Sequence, residues 1–144
     1  MIVMRRKKKG IRAERELLDK LWNYGIGAIR VAGSGSTGHP SADIIAGYRG
    51  KLAVIEVKTT SKESIYVGSD EVQSMRSLAE VLGAECWLAV KFSADRGKFY
   101  MVRIPDARET SSGSVVIDLS IARSKGLPVE MFAKYIFQQS SSKV

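Results

Sequence analysis

The sequence predicts an α/β fold, a central mixed β-sheet flanked by helices. Three features carry that expectation: a leading segment with helical spacing of its apolar residues, a block of strand-like runs parted by glycine-bearing turns, and a second helical segment set before two further strand-like runs. The core order is α-β-β-β-α-β, extended by one further strand-like run. With 144 residues, 44% of them hydrophobic, the chain is long enough for one domain with a buried core.

The first helix is expected over Gly10–Gly25, "GIRAERELLDKLWNYG", closed by a C-terminal glycine. A short strand in "AIRVA" follows, then the loop "GSGSTGHPS", rich in residues that punctuate structure. The runs "ADIIAGY" and "KLAVIEVKTT" read as a hairpin turning at Arg49-Gly50. A second helix is expected over Asp70–Leu82, with Ser69 as N-cap, Asp70 and Glu71 in its first turn and Gly83 past its end. Its apolar stripe is Val72, Met75, Ala79 and Leu82, and Met75 reads as core. The runs "CWLAVKF" and "KFYMVRI" complete the sheet. Beyond Pro105 the pattern weakens to a short strand in "VVIDL" and a helix in "PVEMFAKYIF" begun by Pro128. That helix could meet a second copy of the chain or fill the chain's own core. We therefore expect residues 1–9 as a flexible basic arm, 10–137 as a single domain and 138–144 as a disordered tail.

Composition narrows the function classes. The net charge is +8, and five of those charges are the run Arg5, Arg6, Lys7, Lys8 and Lys9, so the rest of the chain carries only +3. Such an arm suits an anionic partner, above all nucleic acid. No apolar run reaches the roughly 20 residues of a membrane span, and no apolar segment follows the charged N-terminus, so the expected setting is the cytoplasm with no membrane partner. The lone cysteine, Cys86, cannot form an internal disulfide and sits in the apolar run "CWLAV". "GSGSTG" lacks the Lys and Ser or Thr of a P-loop, which argues against a nucleotide cofactor. His39, the single histidine, has no second histidine to share a metal or a triad with and reads as a loop residue.

The chemistry concentrates around "IEVKTT", residues 55–60, where a carboxylate and an amine interrupt a buried strand. Side chains alternate along a strand, so Glu56 and Lys58 share one face. If the hairpin loop has two residues, Asp43 falls opposite Glu56; a three-residue loop with a glycine bulge would oppose Asp43 to Ile55 instead. Two opposed carboxylates destabilise a sheet by up to about 1 kcal/mol unless a cation joins them. On the first helix, Leu17, Leu18 and Leu21 fall within about 60° of Glu14, so this acid lies on the buried stripe and needs a basic side chain or a metal as partner. Glu16 and Lys20 lie outward as an i,i+4 pair. Glu14, Asp43 and Glu56 together are hard oxygen donors of the kind that suit Mg²⁺, with Mn²⁺ as substitute. Lys58, protonated beside acids, would orient water or hold charge. Tyr66 and Gln73 lie near the second helix, and Gln73 falls off its apolar stripe.

These residues resemble a known family. "ADIIAG" followed by "IEVK" is similar to the D…(D/E)-x-K motif of the restriction-endonuclease-like nucleases. With the "RAERE" helix and "IRVAGSGS", residues 9 to 105 resemble the archaeal Holliday junction resolvases of the Hjc and Hje type. The resemblance implies a restriction-endonuclease-like core and metal-dependent cutting of four-way DNA junctions by a homodimer. It implies Glu14, Asp43 and Glu56 as metal ligands, Lys58 as catalytic lysine, Ser34 as the serine of a mobile loop and Arg30 as the basic residue before that loop. The arm Arg5–Lys9 and Arg30 would then contact DNA. Ala42 stands where the superfamily often has proline before the motif aspartate, a departure that touches no ligand. The remaining alternatives are a nuclease for another DNA form, of restriction or repair type, and a noncatalytic DNA-binding module.

Overall fold

The computed structural model describes residues 2–32 and 38–141, and the side chains of 10–32 and 38–138. Helix α1 (Ile2–Asn23) leads into strands β1 (Gly27–Arg30), β2 (Ile44–Tyr48), β3 (Lys51–Thr60) and β4 (Ser64–Val67). Helix α2 (Ser69–Leu82) precedes β5 (Glu85–Phe92), β6 (Phe99–Arg103), β7 (Arg108–Glu109) and β8 (Val115–Asp118), and the chain ends in α3 (Leu119–Lys125) and α4 (Val129–Ser141).

The main sheet runs β1-β2-β3-β5-β6. Its β3–β5 pair is parallel, because α2 carries the chain back between them, and every other neighbouring pair is antiparallel. The hairpin turns on two residues: Arg49 and Gly50 both have positive φ, 46° and 85°, the mirror-image turn whose twist matches that of the strands. Tyr48 therefore pairs with Lys51 and Ile44 with Ile55, the register that a two-residue loop demands.

Alternation along β3 divides the core between two layers. Ala53, Ile55 and Val57 join Leu17 and Leu21 of α1, Trp87 and α4's Phe132 and Ile136 in one cluster. Val54 faces the other way, towards Val72, Met75 and Ala79 of α2, Phe92 of β5 and Ile117 of β8. Each fully buried Leu, Ile or Phe in these clusters contributes about 1.5–3 kcal/mol. Trp87 and Phe132 also meet edge to face at 4.9 Å.

Several expectations need correcting. Helix α1 starts at Ile2, not Gly10, and takes in the basic run that we expected as an arm. Lys and Arg are good helix formers and only Gly10 interrupts the segment. Glu16 bonds Lys91 of β5 at 2.8 Å across the layers, and not Lys20 on its own helix. Leu82 is 39% exposed, while Val72, Met75 and Ala79 are buried as the spacing predicts. Helix α4 runs to Ser141, into the expected tail, and buries Val129, Phe132, Ala133 and Ile136 in the chain's own core.

Strands β4 and β7 and helix α3 went unread in the sequence. Strand β4 pairs with β8, and β8 with β7, in a small second sheet. Its signal is only Ile65 and Val67 buried alternately with exposed Ser64 and Tyr66. Helix α3 has seven residues, too few for a visible stripe, but its cap is legible in hindsight: the Asp118 carboxylate accepts a hydrogen bond from the Ile121 N–H at 2.7 Å. Among the described residues, no helix is long and apolar enough to cross a membrane.

Candidate active site

The hairpin register brings Asp43, one residue ahead of β2, opposite Glu56. The two segments are then locked by reciprocal hydrogen bonds. The Asp43 N–H donates to Glu56 Oε1 at 3.1 Å, and the Val57 N–H donates to Asp43 Oδ2 at 2.9 Å. Both carboxylates line one cleft of about 500 Å³. Among the described residues, Glu56 is the only buried charged side chain.

Lys58 stands on the same strand face, two residues on. Its Nζ donates to Glu71 Oε1 at 2.6 Å. Glu71 sits in the first turn of α2, and its Oε2 accepts from the Gly68 N–H at 3.3 Å, which fixes the carboxylate that holds the lysine. Ser41 and Ser74 exchange hydrogen bonds of 2.7 and 3.1 Å, tying the chain before Asp43 to α2.

Glu14 comes from α1, in the opposite layer, and lines the same cleft. Its Oε1 meets Arg30 Nη1 of β1 at 3.4 Å. The basic partner that a buried-stripe acid needs is therefore present.

Burial raises the proton affinity of all three acids, and the Asp43 charge adds to it at Glu56 and Glu14. Glu56 is pushed up to about 8, first by burial and then by the Asp43 charge, with Lys58 pulling the other way. Asp43 is raised chiefly by burial, against the hydrogen bond from Val57 and the charge of Lys58. Glu14 is raised by burial and by Asp43, with Arg30 opposing. Carboxyls whose proton affinity is raised in this way are hard oxygen donors of the kind whose repulsion a divalent cation can offset. As the side chains stand, no group of three His, Cys, Asp or Glu among the described residues is close enough to hold a metal ion. Asp43 and Glu56 are adjacent; Glu14 is drawn aside by Arg30.

The structure thus brings Glu14, Arg30, Asp43, Glu56 and Lys58 to one place. Ser34 lies outside the described residues, as do the side chains of Arg5, Arg6, Lys7, Lys8 and Lys9, whose backbone forms leading turns of α1. His39 lines the cleft. Tyr66 and Gln73 do not: Tyr66 bonds Ser114 at 2.7 Å, and Gln73 bonds Ser77 at 3.2 Å on the exposed side of α2. The residue that sequence reasoning missed is Glu71. It read as an acid placed to suit a helix N-terminus, and no spacing rule links it to a lysine thirteen residues earlier.

Comparison with known proteins gives consistent results. A model of the family described as archaeal Holliday junction resolvase matches residues 5–141. The chain is 37% identical over 133 residues to the crossover junction endodeoxyribonuclease Hjc of Archaeoglobus fulgidus, covering 92% of this chain and 95% of that one. It is 32% identical over 125 residues to the Hjc of Methanocaldococcus jannaschii, covering 87% and 85%. The crystal structure of A. fulgidus Hjc, a Holliday junction resolvase, superposes with a TM-score of 0.78 at 35% identity, over 86% of this chain and 99% of that one.

Proposed function

Because the chain belongs to the archaeal Holliday junction resolvase family, we propose that it cuts four-way DNA junctions by hydrolysing phosphodiesters, with Mg²⁺ held between Asp43, Glu56 and Glu14. The observation that carries the site is the reciprocal pair of hydrogen bonds that sets Asp43 and Glu56 side by side next to Lys58.

A divalent ion bound there supplies Lewis-acid stabilisation of charge growing on the phosphate and makes a water easier to deprotonate. The chain's own groups do the rest. Asp43 and Glu56 are held by backbone N–H donors, so their orientation does not have to be found during the reaction. Lys58, aimed by Glu71, presents an ammonium to the attacking water or the developing charge. Glu14, now paired with Arg30 at 3.4 Å, would be the third oxygen donor to such an ion, and Arg30 beside it would be a cation for a phosphate oxygen.

Each chain brings one such set among its described residues, whereas separating a nearly two-fold-symmetric junction needs two matched nicks. A homodimer acting in the cytoplasm is the natural form, with one cut from each copy. Labelled four-way junction and linear duplex, each incubated with and without Mg²⁺, test the reading. Paired nicks near the branch, dependent on the cation, are expected. Cutting of duplex alone would mean a nuclease for another DNA form, and binding without cutting a noncatalytic module.

A further inference from the structure

Beyond the carboxylate cleft, three more concavities follow one another without a break. The cleft shares Val57 and Lys58 with a hollow at the end of β3. That hollow shares Thr59 and Thr60 with a groove against α1, which in turn shares Gly97 with a basin at the turn between β5 and β6. One wall is α1 itself, whose residues Arg12, Glu16 and Lys20, spaced four apart, fall on one stripe of the helix.

The chemistry along this path differs from that of the cleft. Arg12, Lys20, Lys62 and Arg96 line it, are exposed, and make no ion pair among the described residues. Lysines at the path's margins are spoken for, Lys58 by Glu71 and Lys91 by Glu16. Lys62 is presented by its own turn: its N–H donates to Thr60 Oγ1 at 3.0 Å, and Ser93 Oγ donates to the Thr60 carbonyl at 3.3 Å. Gly10 borders the path within α1, and a Cβ there would meet nothing within 4 Å. Packing inside the chain therefore does not require glycine in this helix, where it costs stability relative to alanine.

From these features we infer that the path is a track for the DNA arm next to the cut, with Arg12, Lys62 and Arg96 each neutralising a backbone phosphate. The inference rests on the reading of the chain as a junction nuclease. The dimensions suit it. Glu56 to Thr60 spans about 13 Å of strand, and Arg12 to Lys20 about 12 Å of helix. Each stretch matches roughly three to four steps of a DNA strand at 3.4 Å each. Exposed cations without an ion pair among the described residues and the hydroxyls of Thr59 and Thr60 suit contacts to a DNA backbone, and the rings of Tyr24 and Tyr100 border the basin at the far end.

The test is binding of a synthetic four-way junction and of a linear duplex without divalent cation, measured across salt concentrations. A phosphate contact contributes about 0.9 to the slope of log affinity against log salt. The triple change Arg12→Ala, Lys62→Ala, Arg96→Ala should therefore flatten the slope by about 2.7 and remove hydroxyl-radical protection from one arm. A control triple of equal charge, Arg103→Ala, Arg108→Ala, Lys125→Ala, lies on exposed positions that line none of these concavities and should leave slope and protection nearly unchanged. Equal flattening by both triples, or unchanged protection in the first, overturns the track. A wild type that binds duplex as well as junction overturns the junction reading instead, and its slope on duplex still decides the track.

Discussion

The site's acids are held in two different ways. Asp43 and Glu56 belong to one hairpin, and backbone N–H groups three bonds or fewer from the ladder fix both carboxylates. Glu14 comes from a helix in the other layer, and a side chain, Arg30, holds it at 3.4 Å. A carboxylate tied by a strand cannot move without breaking the sheet register, whereas one tied by a guanidinium is released whenever a better anion reaches the arginine. Of the three acids proposed as ligands, two are therefore built in, and the third is conditional on what the cleft contains.

The harshest way to break the comparison is at the built-in pair. Glu56→Gln keeps the volume and an acceptor oxygen for the Asp43 N–H, yet removes the charge that a cation needs. Cleavage of a four-way junction should fall by ~10³-fold or more, while junction affinity stays within a few-fold of wild type. Parental cutting by this variant would show that Glu56 is only a structural acid.

Next in size is the lysine. Lys58→Met removes the ammonium but keeps the apolar stem, and single-turnover cleavage should slow by ~10²-fold. Glu71→Gln separates placement from charge: it leaves the ammonium but weakens its tether, so a smaller loss is expected, restored in part by Glu71→Asp. If Glu71→Gln costs as much as Lys58→Met, the carboxylate does more than aim the lysine.

The built-in pair also costs stability, through the raised pKa of Glu56. Glu56 has a folded-state value of about 8 against 4.5 for the ordinary carboxyl. The folded state thus holds its proton more tightly, so stability is greatest below about 4.5 and is lost as pH rises towards 8. Glu56→Gln removes this loss. At pH 8 without divalent cation the variant should be more stable than wild type by on the order of 2 kcal/mol, a few degrees in melting temperature, and the gap should close by pH 5. Mg²⁺ should raise the melting temperature of wild type and not of the variant.

How much of this was visible in the sequence follows the same division. The Asp43–Glu56 opposition was legible because Arg49-Gly50 names a two-residue turn and strand alternation does the rest; the observed pairing of Ile44 with Ile55 is that register. Glu14's place on the inward stripe was legible from helical period, though the side chain is only half-buried, and its partner was not legible, since Arg30 is sixteen residues away and only packing joins them. Glu71 and the β4-β8-β7 sheet were illegible for a related reason. Each depends on a meeting of segments far apart in the chain, and Ser64–Val67 and Leu119–Lys125 are too short to show a period. The partner exchange of Glu16, Lys91 for Lys20, shows that an i,i+4 rule yields when a neighbouring layer supplies a closer cation.

The smallest predicted effect sharpens the comparison most, because its two readouts move in opposite directions. Arg30→Ala frees Glu14 from a partly exposed ion pair worth about 0.5–1 kcal/mol. If Glu14 is a ligand held in reserve, Mg²⁺ should bind the variant about two- to five-fold more tightly by calorimetry in the absence of DNA. The same change removes a cation from the cleft, so junction affinity should weaken, by a few-fold at low salt and less at high salt. A structural role for Arg30 would show neither pattern: releasing a merely buried acid would lower the melting temperature and leave Mg²⁺ affinity where it was. Adding Glu14→Gln to Arg30→Ala closes the cycle. The gain in Mg²⁺ affinity should vanish in the double variant while the loss in junction affinity persists, since the first effect runs through the carboxylate and the second through the missing guanidinium.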